Sequence, residues 1–288
     1  MFDIPNITFR GNANSLSFDL LKASEVYSKN EKELNHNPRK PHRINFFALL
    51  IVTEGTGTHQ VDLKNFALKK GSVLKIAKGQ VHAFQENASY SGFLVIFKEE
   101  FILTYFSKPS IESISHLYNY HLSDPLVENI SFSESFIEEV TGEQAYENGH
   151  VQQNILAKIL ELFLLKLERV SQNPISTTKT NQYLLFFQFK NLVEEGFKTT
   201  RNVKDYAAKL SVSPKHLNTI VKNFTRATAK AFIDHYVLLE IKRAILSTDK
   251  SLKEIAFEVG FDEVTNFTKF FKKHTNQSPK DFKSTLKL

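Results

Sequence analysis

Residues 251–283 read SLKEIAFEVGFDEVTNFTKFFKKHTNQSPKDFK, and a diverged copy of the part that begins at Leu252 begins 49 residues earlier, at Val203. The earlier copy starts VKDYAAKLSV where the later one starts LKEIAFEVGF. Small, apolar and basic positions coincide, and the matched pairs are Ala207 with Ala256, Leu217 with Phe267, Val221 with Phe271, Lys222 with Lys272, Thr225 with Thr275, and Phe232 with Phe282. A unit that occurs twice with these features predicts two helix-turn-helix modules in one chain.

Each copy has the residue types that a helix-turn-helix requires. A small residue is needed where the two helices cross, and Ala207 and Ala256 supply it. The turn needs a left-handed backbone, which Gly260 adopts freely, whereas Ser211 at the matching position would be strained by about 1 kcal/mol. Apolar residues then hold the second helix against the first, namely Leu217, Ile220, Val221, Phe224, Phe267, Phe270 and Phe271.

The polar side of each second helix is the predicted DNA contact. In the first copy the candidates are Ser213, Lys215, Asn218, Thr219 and Lys222; in the second they are Glu263, Val264, Thr265, Thr268, Lys269 and Lys272. Lysine can reach guanine acceptors, asparagine suits adenine, and the methyl groups of Thr and Val can contact the thymine methyl. Ser213 and Asp262 are predicted to cap the two helices. A solvated helix face explains any one of these residues equally well, but the correspondence between the copies favours DNA.

The second copy resembles the signature of the AraC-type family of bacterial transcription regulators. The resemblance is carried by I-A-x-x-x-G-F, F-x-K-x-F-K-K and S-P-x-x-F within residues 251–283, and it covers residues 181–288 closely. It implies a seven-helix domain in which a helix over 229–247 holds two recognition helices about one DNA turn, roughly 34 Å, apart. The first copy departs from the pattern at Ser211 and Ala229, so we expect it to make weaker or less selective contacts.

Charge and composition agree with a DNA partner for the C-terminal part only. Residues 176–288 contain 20 Lys and Arg against 11 Asp and Glu, a formal charge of +9, while residues 1–175 contain 17 against 20, a charge of −3. Cysteine is absent, which excludes disulfides, thiolate metal sites and cysteine nucleophiles. Neither a signal peptide nor an apolar run near the ~20 residues of a membrane span is present, so we expect a cytoplasmic protein without a membrane partner.

The N-terminal half predicts a β-rich domain. Short apolar runs between residues 44 and 97 are separated by glycine turns, which is typical of a small antiparallel barrel or sandwich. GSVLKIAKGQVHAF at 71–84 is similar to the cupin pattern G-x5-P-x-G-x2-H, with Ala77 where proline is usual. The resemblance implies a cupin-like sensor barrel, followed by helices and then the all-α domain, an α+β class overall.

A sensor domain implies a small-molecule effector, whose identity the sequence does not give. The candidate pocket residues are His42, Asn45, His59 and His82. The three histidines have the right chemistry for a metal. However, the His-x-His pair of metal-binding cupins is missing, since Arg43 and Ile44 follow His42, so we expect no metal and no other cofactor.

The segment 151–170 predicts a helix that is apolar on more than one side. A second subunit covering one side would make the protein a homodimer, and a purely intramolecular core helix is the alternative. The polar stretch 171–180 contains Pro174 and is predicted to link a sensing and dimerisation domain, 1–170, to the DNA-binding domain, 181–288.

These patterns predict a sequence-specific transcription regulator and not an enzyme. We expect an activator that contacts double-stranded DNA and RNA polymerase as a dimer. Two other functions stay open from the sequence: a cupin-type metal-dependent enzyme fused to a DNA-binding domain, and a non-specific DNA binder. A repair methyltransferase is disfavoured because its acceptor cysteine is lacking.

Overall fold

The computed structural model describes residues 4–9, 17–28, 36–62, 64–114, 124–146, 149–171, 180–225 and 227–285. The chain divides into two compact units, one comprising Pro5–Ile175 and the other Ser176–Leu288 together with Met1–Ile4. The first unit combines sheets and helices and the second is helical, which confirms the α+β class. Of the predicted linker 171–180, residues 172–179 lie outside the described residues.

Two five-stranded sheets form the centre of the first unit. One sheet has the order β1 (Asn6–Ile7), β3 (His42–Ile44), β8 (Val81–Phe84), β5 (Thr56–Val61) and β6 (Lys64–Lys69). The other has the order β10 (Leu126–Val127), β7 (Val73–Ile76), β4 (Phe47–Glu54), β9 (Ser91–Phe97) and β2 (Phe18–Lys22). Pairing is antiparallel except between β1 and β3, which run parallel, so the expectation of a purely antiparallel sheet is corrected at this edge.

Strand β4 explains why the unit has both a sheet core and a helical layer. Its sequence FALLIVTE is buried from Phe47 to Val52, as expected of a central strand covered on both faces. Ala48, Leu50 and Val52 belong to the hydrophobic core that the two sheets share. The alternate residue Phe47 stacks on Phe97 of β9, with 5.6 Å between the ring centroids.

Five helices accompany the described sheets. They are α1 (Ala23–Ser28), α2 (Glu99–Tyr105), α3 (Lys108–Ser113), α4 (Ser133–Gln144) and α5 (His150–Val170). Helix α5 packs mainly on α2, α3 and α4, and Phe163 stacks on Phe136 with 4.0 Å between the ring centroids.

The described part of the second unit contains the seven helices that the family resemblance implies. They are α6 (Thr180–Gly196), α7 (Val203–Lys209), α8 (Pro214–Thr225), α9 (Ala229–Ser247), α10 (Leu252–Glu258), α11 (Val264–Thr275) and α12 (Pro279–Thr285). Phe186, Phe189 and Phe232 are buried at the centre of the first module and contact one another through their rings. Across the described residues of both units, every helix is too short or too polar to cross a bilayer.

Candidate nucleic-acid interface and ligand cavity

The two helix-turn-helix modules, α7–α8 and α10–α11, have the same backbone at the turn. Ala207 and Ala256 are fully buried where the helices cross. The Val212 N–H donates to the Ala207 carbonyl at 3.0 Å, and the Phe261 N–H donates to the Ala256 carbonyl at 2.9 Å. The sequence repeat is therefore a structural repeat.

The left-handed turn predicted from the sequence occurs in both modules. Ser211 has φ of 55° and Gly260 has φ of 81°. At Gly260 a second constraint applies, since an added Cβ atom would lie 2.0 Å from the Lys198 carbonyl oxygen. Glycine is required there by close backbone approach as well as by conformation.

Matched threonines close both recognition helices. Thr225 Oγ1 donates to the Val221 carbonyl at 2.7 Å, and Thr275 Oγ1 donates to the Phe271 carbonyl at 2.8 Å. Each hydroxyl also accepts a backbone N–H two residues further on. Backbone groups at the end of a helix lack partners within the helix, and these two hydroxyls provide hydrogen-bond partners for them.

The two predicted N-caps have different outcomes. Ser213 Oγ accepts the N–H of His216 at 3.1 Å, as a capping serine should. The prediction for Asp262 is wrong, because α11 begins at Val264 and its N-cap position is Glu263, which makes no side-chain cap bond. The N–H groups at the start of α11 thus have no side-chain cap from Glu263.

Most of the predicted contact residues form an exposed polar face on each recognition helix. The opposite face is buried, through Leu217, Ile220 and Val221 in α8 and through Phe267 and Phe271 in α11. The exposed members of the polar faces are Ser213, Lys215, Thr219, Lys222, Glu263, Thr265, Lys269 and Lys272, whereas Asn218, Val264 and Thr268 are half-buried. Each face carries lysines, whose positive charge attracts the negative phosphates of DNA.

Asn218 differs from its neighbours on the first face. Its Oδ1 accepts the backbone N–H of Ala229, the first residue of α9, at 3.1 Å. A bidentate contact with adenine needs both the amide oxygen and the amide nitrogen of the side chain. Asn218 therefore anchors α8 on α9, and the adenine contact expected from the sequence would have to share Oδ1 with the Ala229 N–H.

Arg201 is a residue that the sequence analysis missed. It precedes α7, and its Nη2 donates to the carbonyls of Val259 and Gly260 at 2.8 and 2.9 Å. The guanidinium also lies 3.6 Å from the centre of the Phe261 ring, which is cation–π geometry. Arg201 thus ties the turn of the second module to the start of the first. Its partners are 58 and 59 residues away, so no local pattern identifies it.

A cavity of about 490 Å³ lies in the first unit, which is a volume typical of sites for small organic molecules. Its apolar wall includes Ile7, Leu21, Ile44, Phe46, Phe84 and Leu94. Its polar lining includes Glu25, His36, His42 and His82. The segments β1 and α1 form part of the wall, and the sequence analysis did not anticipate either.

Two of the four predicted pocket residues line this cavity. His42 and His82 do, on the adjacent strands β3 and β8. His59 is buried behind them, with its Nε2 at 3.0 Å from His82 Nδ1. Asn45 is exposed and its Oδ1 accepts the Phe9 N–H at 3.3 Å, so its assignment to the pocket is corrected. Phe46 and Phe84 belong both to the hydrophobic core and to the cavity wall.

Burial disfavours the charged form of His42, His59 and His82. It lowers the pKa of His42 to about 4 and that of His59 to about 3, and it lowers the pKa of His82 well below its ordinary value. Ring nitrogens are engaged, with His42 Nδ1 at 2.9 Å from the Lys40 carbonyl. Among the described residues, no three His, Cys, Asp or Glu side chains are arranged to hold a metal ion.

Two family models match this chain, one in each of its two compact units. The model of the AraC-like ligand binding domain matches residues 30–134, and the model of a helix-turn-helix domain matches residues 206–285. The chain belongs to the AraC family. This AraC-family chain is a transcription regulator with a ligand-binding domain and a helix-turn-helix DNA-binding domain.

Relatives of this AraC-family chain are distant in sequence. It is 19% identical to the HTH-type transcriptional activator RhaS of Yersinia pestis over 280 residues, covering 94% of this chain and 98% of RhaS. Apo ToxT from Vibrio cholerae is similar at 15% identity and a TM-score of 0.40, covering 96% of this chain and all of ToxT. An AraC-type regulator from Chromobacterium violaceum is similar at 18% identity and a TM-score of 0.34, covering 38% of this chain and 96% of its own.

Proposed function

We propose that this regulator activates transcription from specific promoters, binding an asymmetric DNA site through α8 and α11 and responding to a small molecule in the cavity of its first unit. The observation that carries the proposal is the pair of exposed, lysine-bearing faces on two modules with the same turn backbone. The faces differ in sequence, so each is expected to read different bases. Two half-sites in successive major grooves follow from this arrangement.

The second module is proposed to be the more selective reader. Its face presents Thr265, Lys269 and Lys272 exposed together, with Val264 half-buried at the start of the helix. Its turn is fixed by Gly260 and Arg201. On the first face, Asn218 is engaged with α9, which leaves Lys215, Thr219 and Lys222 as the proposed contacts.

A homodimer through α5 is part of the proposal. Val151, Ile155 and Leu162 are exposed by 72%, 40% and 51%, and they follow one another with Lys158 at alternating spacings of four and three residues. That spacing is the repeat with which helices pair in coiled coils, so a second copy of α5 is the proposed occupant. Two copies would let the protein bind repeated half-sites.

Activation is proposed because the relative RhaS is named a transcriptional activator. An activator contacts RNA polymerase, so a contact with the polymerase is part of the proposal. RNA polymerase and promoter DNA lie in the cytoplasm of a bacterium, so a cytoplasmic location is also part of it. We propose no enzymatic role. The histidines of the first unit serve the cavity in this proposal, and the relatives are transcriptional regulators.

The test is DNA binding with sequence competition. Fragments selected from a random pool, together with the region upstream of the gene, are titrated with full-length protein at several salt concentrations. We expect affinity to fall steeply with salt, and the selected site to resist competition by random DNA. Equal affinity for selected and random DNA would overturn the sequence-specific proposal.

A matched pair of lysine variants locates the contact. Lys269→Ala is expected to weaken specific binding by about 1–3 kcal/mol and to relax preference at one base position. Lys64→Ala makes the same charge change at an exposed position of the first unit and is expected to leave affinity unchanged. Equal losses in the two variants would mean that net charge alone drives binding.

A further inference from the structure

The cavity of the first unit combines a largely apolar wall with one polar end. Ile44, Phe84 and Leu94 belong to the wall, and His42 and His82 lie side by side at the polar end with 4.3 Å between their ring centroids. A molecule held here would be mostly apolar, with its polar group directed at the two imidazoles. The chemistry of that group depends on which ring nitrogens carry protons.

The proton of His42 is fixed by the backbone. Its Nδ1 lies 2.9 Å from the Lys40 carbonyl oxygen, and a carbonyl can only accept a hydrogen bond. Nδ1 therefore carries the proton. In the neutral ring Nε2 is then the acceptor that a ligand can use.

The proton of His82 is fixed by a relay of buried groups. Tyr90 is 1% exposed, and its hydroxyl lies 3.3 Å from His59 Nδ1. A buried hydroxyl proton is costly without an acceptor, so Tyr90 donates to Nδ1. His59 then carries its proton on Nε2 and donates to His82 Nδ1 at 3.0 Å, which leaves His82 with an N–H at Nε2.

The polar end of the cavity has no lysine or arginine that could compensate an anion, since the described residues that line the cavity include neither. Burial lowers the pKa of both His42 and His82 below their ordinary value. Glu25 also lines the cavity, as does His36, whose ring centroid lies 4.6 Å from that of His42. An ionised carboxylate would lose its hydration there, gain no lysine or arginine partner and share the cavity with the Glu25 carboxyl group, which disfavours anionic ligands.

We infer that the cavity takes an uncharged, mostly apolar molecule whose single head group both donates and accepts a hydrogen bond, the chemistry of a phenol or an alcohol. The head group accepts from the N–H of His82 and donates to Nε2 of His42. This assignment deepens the proposed function by naming the class of effector. Binding is measurable without DNA, so its failure is distinguishable from a failure of promoter recognition.

Three probes of nearly equal shape test the class. Full-length protein is titrated calorimetrically at neutral pH with 4-butylphenol, with 4-butylanisole, which lacks the donor, and with 4-butylbenzoate, which is anionic. We expect 4-butylphenol to bind at least about tenfold more tightly than either, since each alternative leaves a buried partner unpaired or a charge unpaired. Tightest binding of the benzoate, equal binding of the anisole, or no binding of any probe at about 1 mM would overturn the class.

A variant pair tests the head-group site. His42→Phe keeps the ring volume and removes the acceptor, so 4-butylphenol should lose its advantage over 4-butylanisole. Asn45→Ala, at an exposed neighbouring position, should keep the full advantage. An undiminished phenol preference in a folded His42→Phe protein would place the head group elsewhere. The wild-type probe series decides the class even where that variant fails to fold.

Discussion

The two helix-turn-helix modules have the same turn backbone and differ in what holds it. Ser211 and Gly260 occupy the same left-handed position, with φ of 55° and 81°. In the second module, the backbone at Lys198 excludes any side chain at Gly260, and Arg201 bridges the turn. In the first module, Ser211 is exposed and bears only the intrinsic cost of its conformation. The same left-handed turn is thus fixed by tertiary contacts at Gly260, whereas at Ser211 it persists despite its local strain.

The largest expected effect is at the tightly packed turn. Gly260→Ala should lower the free energy of unfolding of the DNA-binding unit by about 3–5 kcal/mol, since it adds left-handed strain to a clash with the Lys198 carbonyl. Urea unfolding followed by circular dichroism measures this. Ser211→Ala is the matched control and should change stability little. Equal effects at the two positions would remove the distinction between the modules.

Arg201→Ala should have the next largest effect. The variant loses two hydrogen bonds from a charged group and the contact with the Phe261 ring, so we expect about 3 kcal/mol of destabilisation. Arg201→Lys should recover little of it, because a single ammonium lacks the planar guanidinium that stacks on the ring. Footprinting should lose protection mainly at the half-site of the second module. Uniform loss at both half-sites would contradict this.

A third difference between the modules involves two positions together. Asn218 accepts the Ala229 N–H, whereas the second module has Thr268 and Pro279 at these places, and proline has no N–H to donate. Asn218→Thr should therefore destabilise by about 1 kcal/mol alone and by less in the presence of Ala229→Pro. The double-mutant cycle measures the coupling. A coupling of zero, with altered base preference for Asn218→Thr, would restore Asn218 as a base reader.

The smallest expected effect is a gain. Ser211→Gly should stabilise the first module by about 0.5–1 kcal/mol, because relief of left-handed strain exceeds the added entropy of glycine in the unfolded chain. The shift of the urea midpoint reports it. A loss of stability would mean that the serine side chain contributes a bond that offsets its strain.

Helices of the second unit were the easiest part to predict. The helix expected over 229–247 agrees with α9, which spans Ala229–Ser247, and each predicted module contains its two helices. Their signals are local, namely a capping serine, a left-handed turn and apolar residues at helical spacing. Asp262 failed because the helix begins one residue later than the capping preference of Asp suggests, and only the backbone shows that Glu263 occupies the N-cap position.

The first unit was harder, because its cavity is assembled from distant segments. Strands β1 and β2 are short, and they pair with β3 and β9, which follow much later in the chain. Asn45, one of the predicted pocket residues, lies between β3 and β4 and is exposed. Position in sequence therefore located the right strands and misplaced one side chain.

The sequence alone determined the helical repeat, the left-handed turns and the basic charge of the DNA-binding unit, because periodicity, turn chemistry and charge are local properties. Only the tertiary structure decided that Arg201 holds the second turn, that Asn218 anchors α9, and that His42 and His82 face one cavity. Each of these contacts joins residues between about ten and sixty positions apart. Such pairs are set by how whole elements pack, and no window of sequence contains that information.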